Sequence, residues 1–500
     1  MNLVQSFLEA LENNGDSTLF LDEGVKISFP ELAEKAGILG NEIRSQKSGD
    51  SQYVAILLPN SIEFAVSFWA VLFADNVVMP LNFMLQPPEF IPLFDLAKPA
   101  LLLTHSLFKP LVQALLKMRK RALNVIYVDE FLREWQEKQT ASRIPALNSI
   151  SDDPDKPAML LFTAGTSATP KGALLSHKNI LSNLEGCQNV LQITSDDAFL
   201  GILPNFHSFG MTTSFLLPLL KGSRTVVLRS IQPQNIIETI QRERISTLIM
   251  VPPLFGLLLK FPGIQKADFS SIRMTVSGGC PLSPVMEEMF PKLTGKFIFN
   301  GYGLTEASPV VSVNHLDASR KGSIGRPLHN VAVSIHDEQG TPLPAGRQGE
   351  IYVRGDNVML GYLNAEEDTN KALTPDRMLR TGDMGYLDDN GFLYITGRKK
   401  DLIICGGENV HPLEIEMVLN SHPQIEDSAV IGVQDSLRGE HPKAFIKLRE
   451  GQSVLPGEIR HFCLERLASF KVPREFAFVE NFPRNSLGKI LKRFLKQETL

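Results

Sequence analysis

The segment Val54-Ala55-Ile56-Leu57-Leu58, followed by Pro59-Asn60-Ser61 and by the apolar-periodic run from Ile62 to Phe73, decides the fold. Five consecutive apolar residues bounded by a turn read as a strand buried on both faces. Ser61 stands where a helix N-cap belongs, directly before the periodic run. Moving outward, the same unit returns. Val77 to Leu81, Ala100 to Leu103, Ala158 to Phe162, Thr225 to Leu228 and Thr247 to Val251 are further short apolar runs separated by helical patterns. Strands of this kind alternating with helices imply an α/β protein built on parallel sheets covered on both faces.

After Ser323 the texture changes. Val331 to His336, Gly349 to Arg354 and Phe392 to Ile395 are short strands separated by Gly, Asp and Asn turns, and Asp388-Asp389-Asn390-Gly391 is a hairpin signal. This predicts an antiparallel or barrel-like meander. From Arg398 onward a helix (Pro412 to Asn420), strands (Ser428 to Val433, Lys443 to Lys447) and a further helix (Pro456 to Leu467) form a slightly basic third region against an acidic remainder. The expected architecture is therefore a large N-terminal domain, residues 1–397, of parallel α/β sheets plus a β-barrel-like subdomain. A small mobile α+β domain, residues 398–500, follows it. The polar stretch Gly397-Arg398-Lys399-Lys400-Asp401 between apolar strands has the composition of a hinge.

Five hundred residues exceed what a single core usually fills, which agrees with more than one domain. With 43% hydrophobic and 21% charged residues the chain has an ordinary globular composition, and a net charge of −5 argues against nucleic acid as a partner. Cys187, Cys280, Cys405 and Cys463 are far apart with no metal-ligand spacing, so they read as small buried hydrophobes in a reducing, cytoplasmic setting. Met1 to Gly15 carries Glu9 and Glu12 and no basic region, which predicts an amphipathic helix, not a signal peptide. The longest apolar stretches, Ala65 to Leu81 and Thr247 to Phe261, are broken by Asp75-Asn76 and Pro252-Pro253, so no membrane span is expected and membrane contact would be peripheral.

Chemistry concentrates in a few segments. Leu160-Leu161-Phe162-Thr163-Ala164-Gly165-Thr166-Ser167-Ala168-Thr169-Pro170-Lys171-Gly172 places four hydroxyls, two glycines and a lysine after an apolar strand. Exposed backbone N–H groups, hydroxyls and one cation suit a polyphosphate, although the spacing is not that of a Walker A loop. Read alone, the segment also fits a polar surface turn before a helix. Ser277-Gly278-Gly279-Cys280-Pro281-Leu282 follows the strand Arg273 to Val276, and Asn300-Gly301-Tyr302-Gly303-Leu304-Thr305-Glu306 follows the strand Lys296 to Phe299. Both read as glycine-rich turns at the carboxyl ends of parallel strands, where open α/β sheets bind ligands. Arg380-Thr381-Gly382-Asp383 lies in the meander, and Pro483-Arg484-Asn485-Ser486-Leu487-Gly488-Lys489-Ile490 near the C-terminus. Taken singly, Asp383 fits an Asx turn, Tyr302 a core aromatic and Lys489 a solvated surface lysine.

In order and spacing these segments resemble the adenylate-forming superfamily: acyl- and aryl-CoA synthetases, peptide-synthetase adenylation domains and beetle luciferases. The likeness runs from Val54 to Lys489. It implies that a carboxylate joins the α-phosphate of ATP, pyrophosphate leaves, and a pantetheine thiol then takes the acyl group. On that likeness Thr163, Gly165, Thr166, Ser167 and Lys171 hold the β- and γ-phosphates. Thr305 binds the α-phosphate, and Glu306 with Thr166 holds Mg²⁺. The Gly278-Gly279 turn and Tyr302 clamp adenine, Asn300, Gly301 and Gly303 belong to the same nucleotide site, and Asp383 and Arg398 take the ribose. Lys489 bridges the two reacting anions, as a compact charge on a long stem can. Lys400 is the hinge position, and Gly406 and Gly407 admit the pantetheine arm.

Leu203-Pro204-Asn205-Phe206-His207-Ser208-Phe209-Gly210-Met211-Thr212 resembles the acyl-site segment of fatty-acyl members, with His207 beside the carboxylate and Phe209 and Met211 lining an apolar channel. The expected activity is ATP-dependent activation of a medium- or long-chain fatty acid and its transfer to coenzyme A. The same segment also resembles ligases that charge acyl carrier protein, for which Arg484, Lys489, Lys492, Arg493 and Lys496 would form a basic docking face. Two rival classes are a non-catalytic descendant that binds acyl chains or nucleotide, and a luciferase-like oxygenase. The phosphate loop departs from the family's Thr-Ser-Gly-Thr-Thr-Gly at Ala164 and Ala168. The first change removes a hydroxyl donor and the second a glycine, so this loop is the weakest element of the pattern.

Overall fold

The computed structural model of the protein describes residues 1–15, 17–46, 52–119, 122–138, 151–163, 170–405, 408–435, 439–486 and 488–497. The deciding segment folds as expected. Tyr53–Leu57 is a strand with parallel neighbours on both sides, Val77–Pro80 and Leu101–Thr104. Ser61 accepts a hydrogen bond from the Phe64 N–H and caps the helix Ile62–Phe73. Every residue of that helix but Glu63 is buried, because it is covered on several sides. Trp69 packs against Phe7 of the N-terminal helix at 4.4 Å between ring centroids, and Phe68 meets Phe215 at 5.2 Å. Fully burying an aliphatic or aromatic side chain of this kind stabilises the fold by roughly 1.5–3 kcal/mol, and Phe7, Phe68, Trp69 and Phe215 all belong to one continuous core.

A seven-stranded sheet runs, from edge to edge, Gly361–Tyr362, Lys171–Ser176, Pro157–Thr163, Val77–Pro80, Tyr53–Leu57, Leu101–Thr104 and Asn124–Tyr127. Its last five strands are parallel and its first two junctions antiparallel. A second sheet of nine strands is parallel through its middle, from Phe299–Gly303 across to Thr18–Asp22. The meander is an antiparallel sheet of Pro342–Leu343, Ala332–His336, Gly349–Arg354, Leu379–Leu387 and Leu393–Arg398. The C-terminal part carries its own sheet and its own core around Ile403, Val410, Ile415, Ile446 and Ile459.

Three local readings change. The hydroxyl-rich segment joins two antiparallel strands, with Thr163 opposite Lys171, and the next helix starts only at His177. The strands on either side of it are antiparallel partners, and no helix follows it directly. Phe299–Gly303 is a strand where Lys296 to Phe299 was expected, so Asn300 to Gly303 form no turn after it. This strand pairs in parallel with Met274–Ser277 and antiparallel with Val310–Val313. Missing side chains make the second pairing fit, since a Cβ on Gly303 would run into the Pro309 carbonyl. Finally, Met211 is fully buried in the main core, within a π-helical turn Met211–Leu216, and does not line a channel.

The N-terminal helix is Leu3–Asn14, with Asn2 and Gln5 closing a capping box. Cys187, Cys405 and Cys463 are buried and Cys280 half-buried, all as free thiols. Among the described residues no helix is long and apolar enough to cross a membrane.

Candidate active site

The meander hairpin supplies the first part of the site. Asp383 and Arg398 face each other as register partners across its two strands, and their side chains form an ion pair at 2.9 Å. Tyr302, arriving from the nine-stranded sheet, donates its hydroxyl to the other carboxylate oxygen at 2.6 Å. Asp383 is only 4% exposed, so both contacts answer the cost of burying its charge. Burial opposes the charge on Arg398, but Asp383, Tyr302, Asp401 and Glu306 outweigh it and hold the guanidinium above its usual range. Burial, then the nearby Asp383, raises the Tyr302 phenol well above normal, so it remains a donor. Asp383 does not use its side chain in an Asx turn; Thr381 makes the local contact, accepting from the Asp383 N–H at 3.1 Å. Beneath this turn the buried Glu350 accepts from Gly382 N–H at 3.2 Å and from Lys399 at 2.8 Å.

The glycine turn lies alongside. Gly279 is exposed, with φ at +84°, a conformation that favours glycine. Gly278 is buried against the ring of Phe209, which would stand 3.0 Å from a Cβ there. Asn300 and Gly301 continue the same rim, and Thr305 and Glu306 begin the short turn that follows Gly303.

A third group gathers at the mouth of the hairpin that carries Lys171. The ammonium of Lys171 pairs with Asp368 at 2.7 Å and lies 5.3 Å from the ring centroid of Tyr362. The Tyr362 hydroxyl donates to Glu306 at 2.7 Å. Burial, followed by Glu306, raises the Tyr362 phenol far above its ordinary value. Among the described residues the second oxygen of Glu306 has no hydrogen-bond partner. Thr305 shares a hydrogen bond with Ser208 at 3.2 Å, and Thr163 reaches the Lys171 carbonyl only at 3.5 Å. Gly165, Thr166 and Ser167, with Ala164 and Ala168, lie outside the described residues, as do Gly406 and Gly407.

The C-terminal part closes the site. Residues Arg484 and Ile490 bridge as an antiparallel pair, and Asn485 binds the backbone of Lys489 in both directions, at 2.9 and 3.0 Å. Gly488, with φ at +81°, lets this hairpin lie directly on Pro253, where a Cβ would meet the ring at 2.5 Å. Ser486 then reaches His207, whose Nε2 is 2.5 Å from the serine hydroxyl. Burial pushes the His207 imidazole down to about 4, so it is neutral at ordinary pH. Burial also pushes the Lys489 ammonium down, to about 8, with Arg398 and Lys400 acting in the same direction and Asp383 and Asp401 against it. Lys400 itself is exposed, in a short turn Lys399–Asp401 between the meander and the C-terminal sheet.

The fold thus assembles Tyr302, Asp383, Arg398 and Lys489 in one place and Lys171 with Glu306 in another, with His207 and Thr305 between helix start and strand end. Sequence reading passed over Tyr362, Ser486, Ser208, Glu350 and Asp368. Tyr362 had one visible signal, an aromatic residue directly after Gly361 in an otherwise apolar segment, and Ser486 lay within a quoted motif without a role.

The chain matches the family model for AMP-binding enzymes over residues 7–363 and that for the AMP-binding enzyme C-terminal domain over residues 414–489. It is 34% identical over 519 residues to a long-chain-fatty-acid–CoA ligase of Bacillus subtilis, covering 97% of this chain and 92% of that protein. Sulfoacetate–CoA ligase of Cupriavidus necator is 31% identical over 479 residues, 94% of this chain and 92% of the relative. The o-succinylbenzoate coenzyme A synthetase of Bacillus subtilis, solved with ATP and magnesium ion, matches with a TM-score of 0.85 at 29% identity. That match covers 98% of this chain and 99% of that one.

Proposed function

Because this chain belongs to the AMP-binding enzyme family and is an AMP-forming acid–thiol ligase of the acyl-CoA synthetase type, we propose that it activates a medium- or long-chain fatty acid with ATP and transfers the acyl group to coenzyme A. The observation that carries this reading is the group of buried Asp383 with Arg398 and Tyr302, together with Lys489, which the C-terminal hairpin delivers close enough for Arg398 and Asp383 to act on its charge. A carboxylate oxygen attacking the α-phosphorus brings two anions together and expels pyrophosphate. Such a step needs a fixed cation aimed at the oxygens where charge develops. Lys489 fills that role here, with Asp383 and Arg398 on the ribose and the Gly278–Gly279 turn and Tyr302 beside the base.

The phosphate side fits the same reading. Lys171 takes the β- and γ-phosphates, together with the hydroxyls of Thr163, Thr166 and Ser167, and Thr305 the α-phosphate. The donor set also fits Mg²⁺. Among the described residues no three His, Cys, Asp or Glu side chains cluster into a cage. A single carboxylate oxygen on Glu306 plus phosphate oxygens is the manner in which that small cation is commonly held. When bound, it neutralises polyphosphate charge as pyrophosphate leaves.

A fatty acid is favoured because the Bacillus subtilis relative is named for long-chain fatty acids. Coenzyme A is favoured over a carrier protein because the basic C-terminal residues are largely committed. Arg484 pairs with Asp427, Lys492 pairs with Glu416 at 2.7 Å, and Lys489 faces the site.

The C-terminal part, residues 398–500, is read as a moving domain that withdraws Lys489 about the hinge at Lys400 and brings Gly406 and Gly407 in for the thiol. Several of its contacts with the rest of the protein are polar, which suits movement. They include Lys260 with Glu426 at 2.9 Å and Gln348 with His411 at 2.6 Å. Ser486→Ala removes the bond to His207 and is expected to slow adenylation about 3- to 10-fold, the scale of one neutral hydrogen bond. Thioester formation from supplied acyl-adenylate stays unchanged in single-turnover assays.

The activity is tested by acid-dependent exchange of labelled pyrophosphate into ATP over fatty acids of increasing length, followed by thioester assays with coenzyme A and acyl carrier protein side by side. Exchange with medium or long acids and a thioester on coenzyme A support the reading. No exchange across the panel leaves the binding-only descendant, and a thioester on carrier protein alone reassigns the acceptor.

A further inference from the structure

We propose that Tyr362 is the positioning residue that joins the two charged ends of the phosphate side, its hydroxyl setting the carboxylate of Glu306 and its ring steadying the ammonium of Lys171. The inference rests on the ATP-dependent function proposed above, and its ligand is the magnesium–polyphosphate part of the nucleotide.

Two contacts of different kinds meet on this one side chain. The hydroxyl donates to one oxygen of Glu306 at 2.7 Å and leaves the other without a partner among the described residues. A carboxylate fixed through one oxygen presents the second in a defined direction, as a hard cation with a strict coordination geometry requires. The ring centroid lies 5.3 Å from the Lys171 ammonium, within the range in which an aromatic face attracts a cation. The ammonium is therefore held from two sides, by Asp368 at 2.7 Å and by the ring. Incoming phosphate can replace Asp368 while the ring contact persists.

The backbone makes Tyr362 a rigid mount. Its strand pairs with the strand of Lys171, with Tyr362 opposite Ala173 and Gly361 opposite Leu174. The flanking bonds Leu363 N–H to Gly172 carbonyl, 2.8 Å, and Leu360 N–H to Leu174 carbonyl, 2.9 Å, extend the register. On its other side the Tyr362 N–H donates to the Thr369 hydroxyl at 2.9 Å. Glu306 is tied to the same region through its carbonyl, which accepts from Met359 N–H at 2.9 Å. Lysine, carboxylate and tyrosine are thus mounted on one connected piece of backbone.

Two substitutions separate the contacts. Tyr362→Phe keeps the ring and removes the hydroxyl; Tyr362→Leu removes both. Binding of ATP to the whole protein is followed by titration calorimetry while free Mg²⁺ is varied, with pyrophosphate exchange and the melting temperature measured alongside. Tyr362→Phe is expected to raise the half-saturating Mg²⁺ by roughly 10-fold, the scale of one hydrogen bond to a charged group. Its ATP affinity at saturating Mg²⁺ and its KM for fatty acid stay near wild type. Tyr362→Leu adds a loss of ATP affinity of about 3-fold at saturating Mg²⁺, as expected for a partly exposed cation–π contact. An unchanged Mg²⁺ requirement in Tyr362→Phe, or equal behaviour of the two variants, overturns the proposal while the ligase reading stands. Failure of the wild-type protein to bind ATP with Mg²⁺ overturns both.

Discussion

Lys489→Ala is expected to depress acid-dependent exchange of pyrophosphate into ATP by about 10²- to 10³-fold, the loss usual when one preorganised group is removed from a developing charge. Thioester formation from supplied acyl-adenylate should survive, because on the proposed reading the lysine serves only the step in which two anions meet. Equal loss in both half-reactions sinks the two-conformation reading. The same side chain carries a pH signature. Lys489 acts as an ammonium, and burial brings its pKa down to about 8. Its charge is complete below that value and is lost as pH rises through it, so kcat/KM for ATP, which reports the free enzyme, should fall above about pH 8. Lys489→Arg, permanently charged, removes that alkaline limb even if its absolute rate is lower.

Asp383→Asn is expected to weaken ATP binding by about 10²-fold, since each hydrogen bond to a charged group is worth roughly 1.5–3 kcal/mol. The effect has two sources. The variant loses the charge expected to hold the ribose, and it places an amide against Arg398, whose buried pairing at 2.9 Å is then broken. Tyr302 keeps a carbonyl to donate to, so the strand it belongs to stays in register. Because nucleotide is held in both half-reactions, both should suffer, in contrast to Lys489→Ala. Calorimetry of ATP binding together with the two half-reaction assays separates them. An affinity within 3-fold of wild type removes Asp383 from the nucleotide site.

Some elements were legible from sequence. Ile62–Phe73 and Pro412–Asn420 appear with the bounds read from their periodicity and caps, because local signals and tertiary environment agree there. Phe299–Gly303 was displaced because Asn-Gly-Tyr-Gly has little strand propensity of its own. Neighbours on both sides impose the conformation. Lys171, Glu306, Asp383, Arg398 and Lys489 could be picked out by the order of their motifs along the chain. The residues that orient them were hidden for a different reason. Tyr362 meets Glu306 across 56 positions and Ser486 meets His207 across 279, and neither contact leaves a local trace. Glu350 likewise reaches Gly382 and Lys399 only through the pairing of the meander strands.

Under the proposed function, the ion pairs at the site have a consequence for turnover. Lys171 already has an anion in Asp368, and Arg398 one in Asp383. Nucleotide arriving at such a site exchanges partners with it and does not neutralise bare charge. Net affinity is lower than the contacts alone imply, since the bond of Lys171 to phosphate is formed at the expense of its bond to Asp368. Departure is eased for the same reason: as pyrophosphate leaves, Asp368 stands ready to take back the lysine. The pocket works as an ion exchanger, trading tightness for release.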